Sequence, residues 1–331
     1  MLELTKNCIK TRRADFEKAG IRVPAFNLDA LAAATEAAPR WAHIGTGNLF
    51  KAYHAALAQT LAENGDADTG VIAVVPNDFA SIDSLYRPHD NLILQVVMKA
   101  DGSLQKQVIG SVADVIAADT SDGRAWGTLK AVFANPSLQM VTLAITEKGY
   151  DLKSIDGGIK PEIAVELDAG ILPPSSVMLK LCALLHERFS RNAAPLALVS
   201  TDNFSHNGDR LKAAVLLAAS EWRRRGIVWQ DFIDYLNDEN KITFPLSMID
   251  KITPYPSQRV ADTLEKAGLA GMELKKSPRG SVTAAFVNTE EAEYLVIEDR
   301  FPNGRPPLEK AGVYFTDRET VDKVERMKVS T

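Results

Sequence analysis

Cysteine is nearly absent, with 2 among 331 residues. Cys8 and Cys182 lie far apart and cannot form a disulfide framework, which argues against a secreted, disulfide-dependent fold. The 5 histidines are scattered. His186 and His206 form no HExxH and neither cysteine belongs to a CxxC pair, so no zinc pattern is recognisable. No stretch approaches the ~18 uncharged apolar residues of a membrane span. The N-terminus, MLELTKNCIKTRRADFEKAG, carries acidic residues and no apolar core, unlike a signal peptide; a cytoplasmic location is expected by default. Long basic runs are missing too. Lys+Arg is 38 against Asp+Glu 43, a net charge of −5, which argues against nucleic acid as the main partner. The exception, Arg223–Arg224–Arg225, ends a helical stretch, where cations meet the negative end of the dipole.

What is present is ordinary for a globular protein. Hydrophobic residues make up 46% and charged residues 24%, enough for a core without staples over the length of about two domains. Residues 1–38 read as a helical arm broken at Pro24, with a second short helix near Leu28–Ala38. The run Trp41–Ile44 is a strand bounded by Gly45. Asn48–Asn64 carries apolar residues close to helical spacing and ends at a plausible glycine cap, Gly65. Gly70–Val75 is a buried-type strand stopped by Pro76. Asn91–Met98 and Ser103–Ile109 read as a hairpin turning at Asp101-Gly102. A helix over Ser121–Ala134, a strand at Met140–Ile145 and a loop to Pro174 follow. Then come a helix (Ser176–Phe189), a strand (Leu196–Ser200) and a long helix (Asp209–Arg225). Helical pieces flank Phe244-Pro245, short strands lie near Ala284–Val287 and Tyr294–Ile297, and a helix starts at Thr320. Three βα alternations predict an α/β fold, a Rossmann-type doubly wound sheet with insertions.

Five segments carry candidate chemistry. In Gly45-Thr46-Gly47-Asn48, Gly45 permits a tight turn and Gly47 lets the backbone approach a pyrophosphate seated on the helix N-terminus. The third glycine of the usual fingerprint is replaced by Phe50. Asp78, after the second strand, is either the carboxylate that binds a ribose 2′-OH, favouring NAD over NADP, or a helix N-cap. Thr146-Glu147-Lys148-Gly149-Tyr150 sits at a strand's carboxyl end, where open sheets bind ligands, though a Glu–Lys pair also suits an exposed turn. In Ser200–Gly208, Asn203 is placed to hydrogen-bond a substrate carbonyl oxygen, while Asn207-Gly208 has turn chemistry. Phe244–Pro254 sets Asp250 beside Lys251 among apolar residues, a costly arrangement if buried and unpaired and an ordinary one on a surface strand. Glu325-Arg326-Met327-Lys328 holds a lysine competent as a general base only if its pKa is lowered; composition alone makes it an exposed helix lysine.

Together, in this order, the segments resemble the mannitol dehydrogenase family of polyol-specific long-chain dehydrogenases, which includes fructuronate and tagaturonate reductases. His43–Phe50 is similar to its cofactor signature, Thr146–Tyr150 to its Thr-Glu-Lys-Gly-Tyr, Ser200–Gly208 to its Ser-x-Asp-Asn-x-x-x-Asn-Gly, and Phe244–Pro254 to its Phe-Pro-x-x-Met-x-Asp-Arg-Ile-x-Pro, with Lys251 for the common Arg. Glu298–Phe301 and Asn303–Pro306 match a further signature. The resemblance runs from about residue 40 to the end, and the N-terminal arm suggests the fructuronate reductase or mannonate oxidoreductase subfamily. It implies a helical arm (1–38), an NAD-binding Rossmann-type domain (39–318) and the start of a helical domain (319–331). It also implies a metal-independent reaction of an open-chain keto-uronate or keto-sugar with its aldonate or polyol. Lys328 would be general acid and base, Glu325 would gate its proton traffic, and Asn203 would polarise the carbonyl. The cofactor, NAD, would contact Gly45, Gly47, Asn48, Phe50, Asp78, Thr146 and Glu147. Asp250, Lys251, Arg300 and Arg305 would meet the substrate, the cations serving a uronate carboxylate.

The family pattern continues into a Leu-Asn-x-x-His motif supplying a second asparagine and a histidine, and this sequence stops at Thr331 before either. The expectation is a cut-off chain that binds NAD with weak or no turnover. The competing expectation is a non-catalytic dinucleotide-binding module; a zinc-dependent polyol dehydrogenase is disfavoured by the missing ligand cluster.

Overall fold

The computed structural model describes residues 1–276, 280 and 282–329; the last two residues of the segment expected at 319–331 lie outside them. Six strands form a wholly parallel sheet: Trp41–Ile44, Val71–Val75, Val112–Ala117, Met140–Leu143, Leu196–Ser200 and Ile242–Thr243. Counted in chain order within this sheet, their spatial order is 3-2-1-4-5-6, the doubly wound order in which a crevice opens between the first and fourth strands. The central strands are apolar along their whole length, Val71–Val75 being buried at every position, because helices cover both faces.

One face packs the helices Gly123–Ala134, Val177–Arg191 and Asn207–Arg224 over a core with Phe133, Leu181 and Trp222 at its centre. The other packs the helix after Gly47 against Val71, Ala73 and Val75. That helix begins as a π-helical turn, Phe50–His54, and continues as Ala55–Glu63. Gly65 follows with φ +71°, as expected of a residue closing a helix.

The hairpin expected around Asp101-Gly102 is present: Ile93–Met98 pairs antiparallel with Leu104–Ile109. It belongs to a second, four-stranded sheet with Ile21–Arg22 and Phe286–Glu290. The N-terminal segment closes that sheet's core, with Leu4, Phe16 and Ile21 packed among Leu94, Leu264 and Phe286. A third sheet joins Ser247–Lys251, Glu293–Glu298 and Tyr314–Thr316, and the helix Arg318–Val329 rests on it through Val321.

Several short strands were not expected, and two further differences bear on the main domain. Val112–Ala117, the third strand of the main sheet, follows the hairpin after only Gly110-Ser111, so no helix announces it. The stretch before Pro174 is not all loop: Pro161–Asp168 is a helix, with Pro161 in its first turn, where a missing N–H costs nothing.

Candidate functional site

A groove of about 690 Å³ runs along the carboxyl ends of the central strands. Gly45, Thr46, Gly47 and Asn48 form one wall, Asp78 lies along another, and Ala144, Ile145 and Thr146 close the crevice between strands one and four. Gly45 has φ +111°, and a Cβ there would lie 2.2 Å from the Ala144 carbonyl oxygen, so the two strand ends meet this closely only through glycine. Gly47 has no protein atom within 4 Å of such a Cβ; the space beside it belongs to the groove. An open cradle at a helix start, with a carboxylate after the second strand, fits the diphosphate and ribose of a dinucleotide. Asp78 stands at the start of the next helical stretch, its carbonyl accepting from Ser81 N–H at 3.1 Å and from Ser81 Oγ at 2.6 Å, while among the described residues its carboxylate accepts from no backbone N–H.

Asp202 fixes the far rim. Its carboxylate accepts from the N–H of Ile145 and of Thr146, both at 2.9 Å, and from the Tyr150 hydroxyl at 2.7 Å. The Tyr150 hydroxyl also meets Ser200 Oγ at 2.8 Å. Burial pushes the Asp202 pKa up, against these hydrogen bonds. Thr146 is held at φ +71°, ψ 153°, a region that is essentially glycine's own and costs about 1–3 kcal/mol. Asn207 fastens the next loop: its Nδ2 donates to Asp202 O and Ser247 O, and its Oδ1 accepts from Ser247 N–H. Asn207 is thus consumed by structure, while Asn203 is exposed.

The C-terminal helix brings Lys328 to this edge. Its Nζ donates to Ile249 O at 2.8 Å and to Asn203 Oδ1 and Asp250 Oδ1 at 3.2 Å each. One turn back, Glu325 is buried and accepts from the His206 backbone N–H at 3.2 Å. Four expected residues, Lys328, Asn203, Asp250 and Glu325, are therefore assembled from three distant segments.

Other expected contacts are corrected. Phe50 does not line the groove; it is fully buried, stacked on His43 with ring centroids 4.7 Å apart, because it lies on the helix face turned to the sheet. Glu147 turns away to pair with Arg210 and leaves Lys148 and Gly149 at the rim. Asp250 and Lys251 are neighbours on a strand, so they face opposite sides. The Lys251 side chain is 2% exposed and pairs with Glu293 at 2.5 Å, away from Lys328. Arg300 is paired with Glu239 at 2.6 Å. Arg305 pairs with Asp299 and Glu309 and stacks 3.5 Å over Phe315. Its loop is tied to Pro136 and Leu138 by Asn303, just before the Met140 strand, so it sits at the sheet's amino edge, opposite the groove.

Sequence reasoning missed three residues of the groove's frame. Lys51, one turn after Gly47, is 3% exposed beneath the groove with its pKa pushed down to about 8 by burial. The Tyr86 hydroxyl donates to Thr46 O at 3.1 Å. Asp202 was visible only as part of a motif. For Lys51 the i+4 spacing from Gly47 was the available signal; the other two depend on long-range packing. Among the described residues, no group of three or more His, Cys, Asp or Glu is arranged to hold a metal ion.

Comparison with known proteins bears on this geometry. The D-mannonate oxidoreductase of Thermotoga maritima is 46% identical over 100% of this chain and 61% of its own length. The mannitol 2-dehydrogenase of Pyrenophora tritici-repentis is 30% identical over 87% of this chain and 48% of its own. The chain thus spans about half to three-fifths of these relatives. The solved structure of Pseudomonas fluorescens mannitol 2-dehydrogenase, a ternary complex with NAD and D-mannitol, superposes with a TM-score of 0.78 at 26% identity, covering 99% of this chain and 60% of that one. The family model described as the mannitol dehydrogenase Rossmann domain matches residues 39–310. By this match, the chain belongs to the mannitol dehydrogenase family.

Proposed function

We propose that this chain is the cofactor-binding and acid–base part of an NAD-dependent oxidoreductase that interconverts a keto-uronate and its aldonate, fructuronate and mannonate before fructose and mannitol. The observation that carries the reading is the Lys328 ammonium held between Asn203 and Asp250, one strand from the groove. The 46% identity to a D-mannonate oxidoreductase favours the sugar-acid substrate.

Gly45, Gly47 and Asn48 would hold the diphosphate and Asp78 the adenosine ribose, with Thr146 near the nicotinamide. Bound NAD supplies the hydride acceptor. Lys328 holds or releases the proton on the substrate oxygen. Because an ammonium only donates, Asn203 meets it through Oδ1 and keeps its Nδ2–H for the same substrate oxygen, where charge develops. Asp250 keeps Lys328 in place, and Glu325 lies one helical turn away, in reach of a proton route to solvent. A uronate carboxylate needs a cation other than Lys251, Arg300 and Arg305; Lys148 at the rim is a candidate replacement.

The test pairs an NADH fluorescence titration with an oxidation assay on mannonate and mannitol. Lys328→Ala is expected to abolish turnover and leave NADH affinity within a few-fold. Loss of NADH binding in that variant would make the lysine structural, and Lys328-dependent oxidation of either substrate by the parent chain would exclude the non-catalytic module.

A further inference from the structure

Lys180 is an unusual residue for its position. It stands in the first turn of the helix Val177–Arg191, where the dipole opposes a cation, and it is only 2% exposed. An apolar side chain of similar size would fill the space without desolvating a charge. Burial indeed pushes its pKa down to about 8. What the ammonium touches is the turn that follows the second strand. It donates to Pro76 O at 2.7 Å and to Asn77 Oδ1 at 3.1 Å, and it lies 5.3 Å from the Phe79 ring centroid. Asn77 and Asp78 both line the groove.

The chemistry fixes a direction that geometry alone leaves open. An ammonium has three donors and no acceptor, so the Asn77 atom facing it is the carbonyl oxygen. The Asn77 amide NH₂ is then turned away from Lys180. We propose that this NH₂ donates to a ribose hydroxyl of the bound dinucleotide, and that Lys180 is the positioning residue that orients it. Asn77 as donor and Asp78 as acceptor, on adjacent residues, complement a vicinal diol, whose hydroxyls each donate and accept. The inference rests on the dinucleotide reading of the groove and adds to it a second ribose contact and the residue that aims it.

NADH titration of four proteins tests it: the parent chain, Asn77→Ala, Lys180→Met and the double variant. Asn77→Ala is expected to raise the NADH Kd about tenfold, the loss of one well-placed hydrogen bond. Lys180→Met is expected to raise it several-fold, and the double variant to match Asn77→Ala alone, because Lys180 acts through Asn77. A merely structural lysine would lower the thermal midpoint and add its effect to that of Asn77→Ala. If Lys180→Met does not fold, Lys180→Gln, which keeps an uncharged N–H donor on a shorter side chain, takes its place, with weaker binding than the parent expected. Parent-like binding by Asn77→Ala, or full additivity in the double variant, overturns the inference alone. Failure of the parent chain to bind NADH overturns the dinucleotide reading with it.

Discussion

Asp202→Asn isolates the device that shapes the groove's rim. In the native protein one carboxylate receives three donors, the N–H groups of Ile145 and Thr146 and the Tyr150 hydroxyl. The amide replacing it has one acceptor oxygen. If that oxygen stays with Thr146, the new NH₂ faces the Ile145 N–H, donor against donor. The Tyr150 hydroxyl can adapt by accepting, but the Ile145 N–H cannot. Hydrogen bonds to a charged acceptor contribute about 1.5–3 kcal/mol each and an orphaned donor costs about 1–3 kcal/mol. The Thr146 side of the site is exposed, which discounts its share, so a net loss of about 2–3 kcal/mol is expected in equilibrium urea unfolding. The same hydrogen bonds restrain Thr146 at φ +71°. Thr146→Gly should therefore move stability the other way by about 1 kcal/mol, the relief of backbone strain less the entropy of glycine. A loss below about 0.5 kcal/mol for Asp202→Asn, or destabilisation by Thr146→Gly, would refute the view of the rim as strained backbone held by one carboxylate.

Gly45→Ala sets a Cβ 2.2 Å from the Ala144 carbonyl at a left-handed φ; it is expected to abolish NADH binding and lower the thermal midpoint markedly in a thermal-shift assay. His54 is fully buried with its pKa pushed down to about 4 by burial, so the unfolded chain binds a proton between pH 6.5 and 4 that the folded chain refuses. Its stabilising contribution is present above pH 6.5 and is lost as pH falls toward 4, by up to about 3 kcal/mol; His54→Gln should flatten that window in pH-resolved urea titrations. Arg305→Met should lower stability, through the lost ion pairs and the lost stack on Phe315, and leave the NADH Kd unchanged, because the residue lies on the edge opposite the groove.

Much of the fold was legible because hydrophobic strands bounded by Gly or Pro alternate with amphipathic helices, and that alternation encodes a doubly wound sheet. The strand Val112–Ala117 escaped because it is reached directly from a hairpin that itself joins another sheet; local pattern does not reveal which sheet a strand enters. The site was legible as a set of segments, since Gly45, Thr146, Asn203 and Lys328 do converge on one edge. What the sequence withheld was the direction of each side chain. Phe50 looked like part of the cofactor loop and is core. Arg305 looked like a substrate cation and is on the opposite edge, neutralised by two carboxylates.

These misplacements share a physical cause that also explains which expected residues converge. A motif at a strand's carboxyl end has two tasks, to close a turn and to face the groove, and adjacent residues divide them. Asp202 and Asn207 satisfy backbone donors and acceptors and are consumed by them, whereas Asn203, between them in sequence, is exposed and meets Lys328. Asp250 and Lys251 divide in the same manner through the pleat of their strand, one toward Lys328 and one toward Glu293. The residue left for chemistry is thus the one whose hydrogen-bonding capacity the fold does not exhaust. By that criterion Asn77, whose oxygen alone is taken by Lys180, stands with Asn203, whose oxygen is taken by Lys328. In both, a lysine engages the carbonyl of an asparagine, and on the proposed reading the amide N–H groups serve a ligand oxygen.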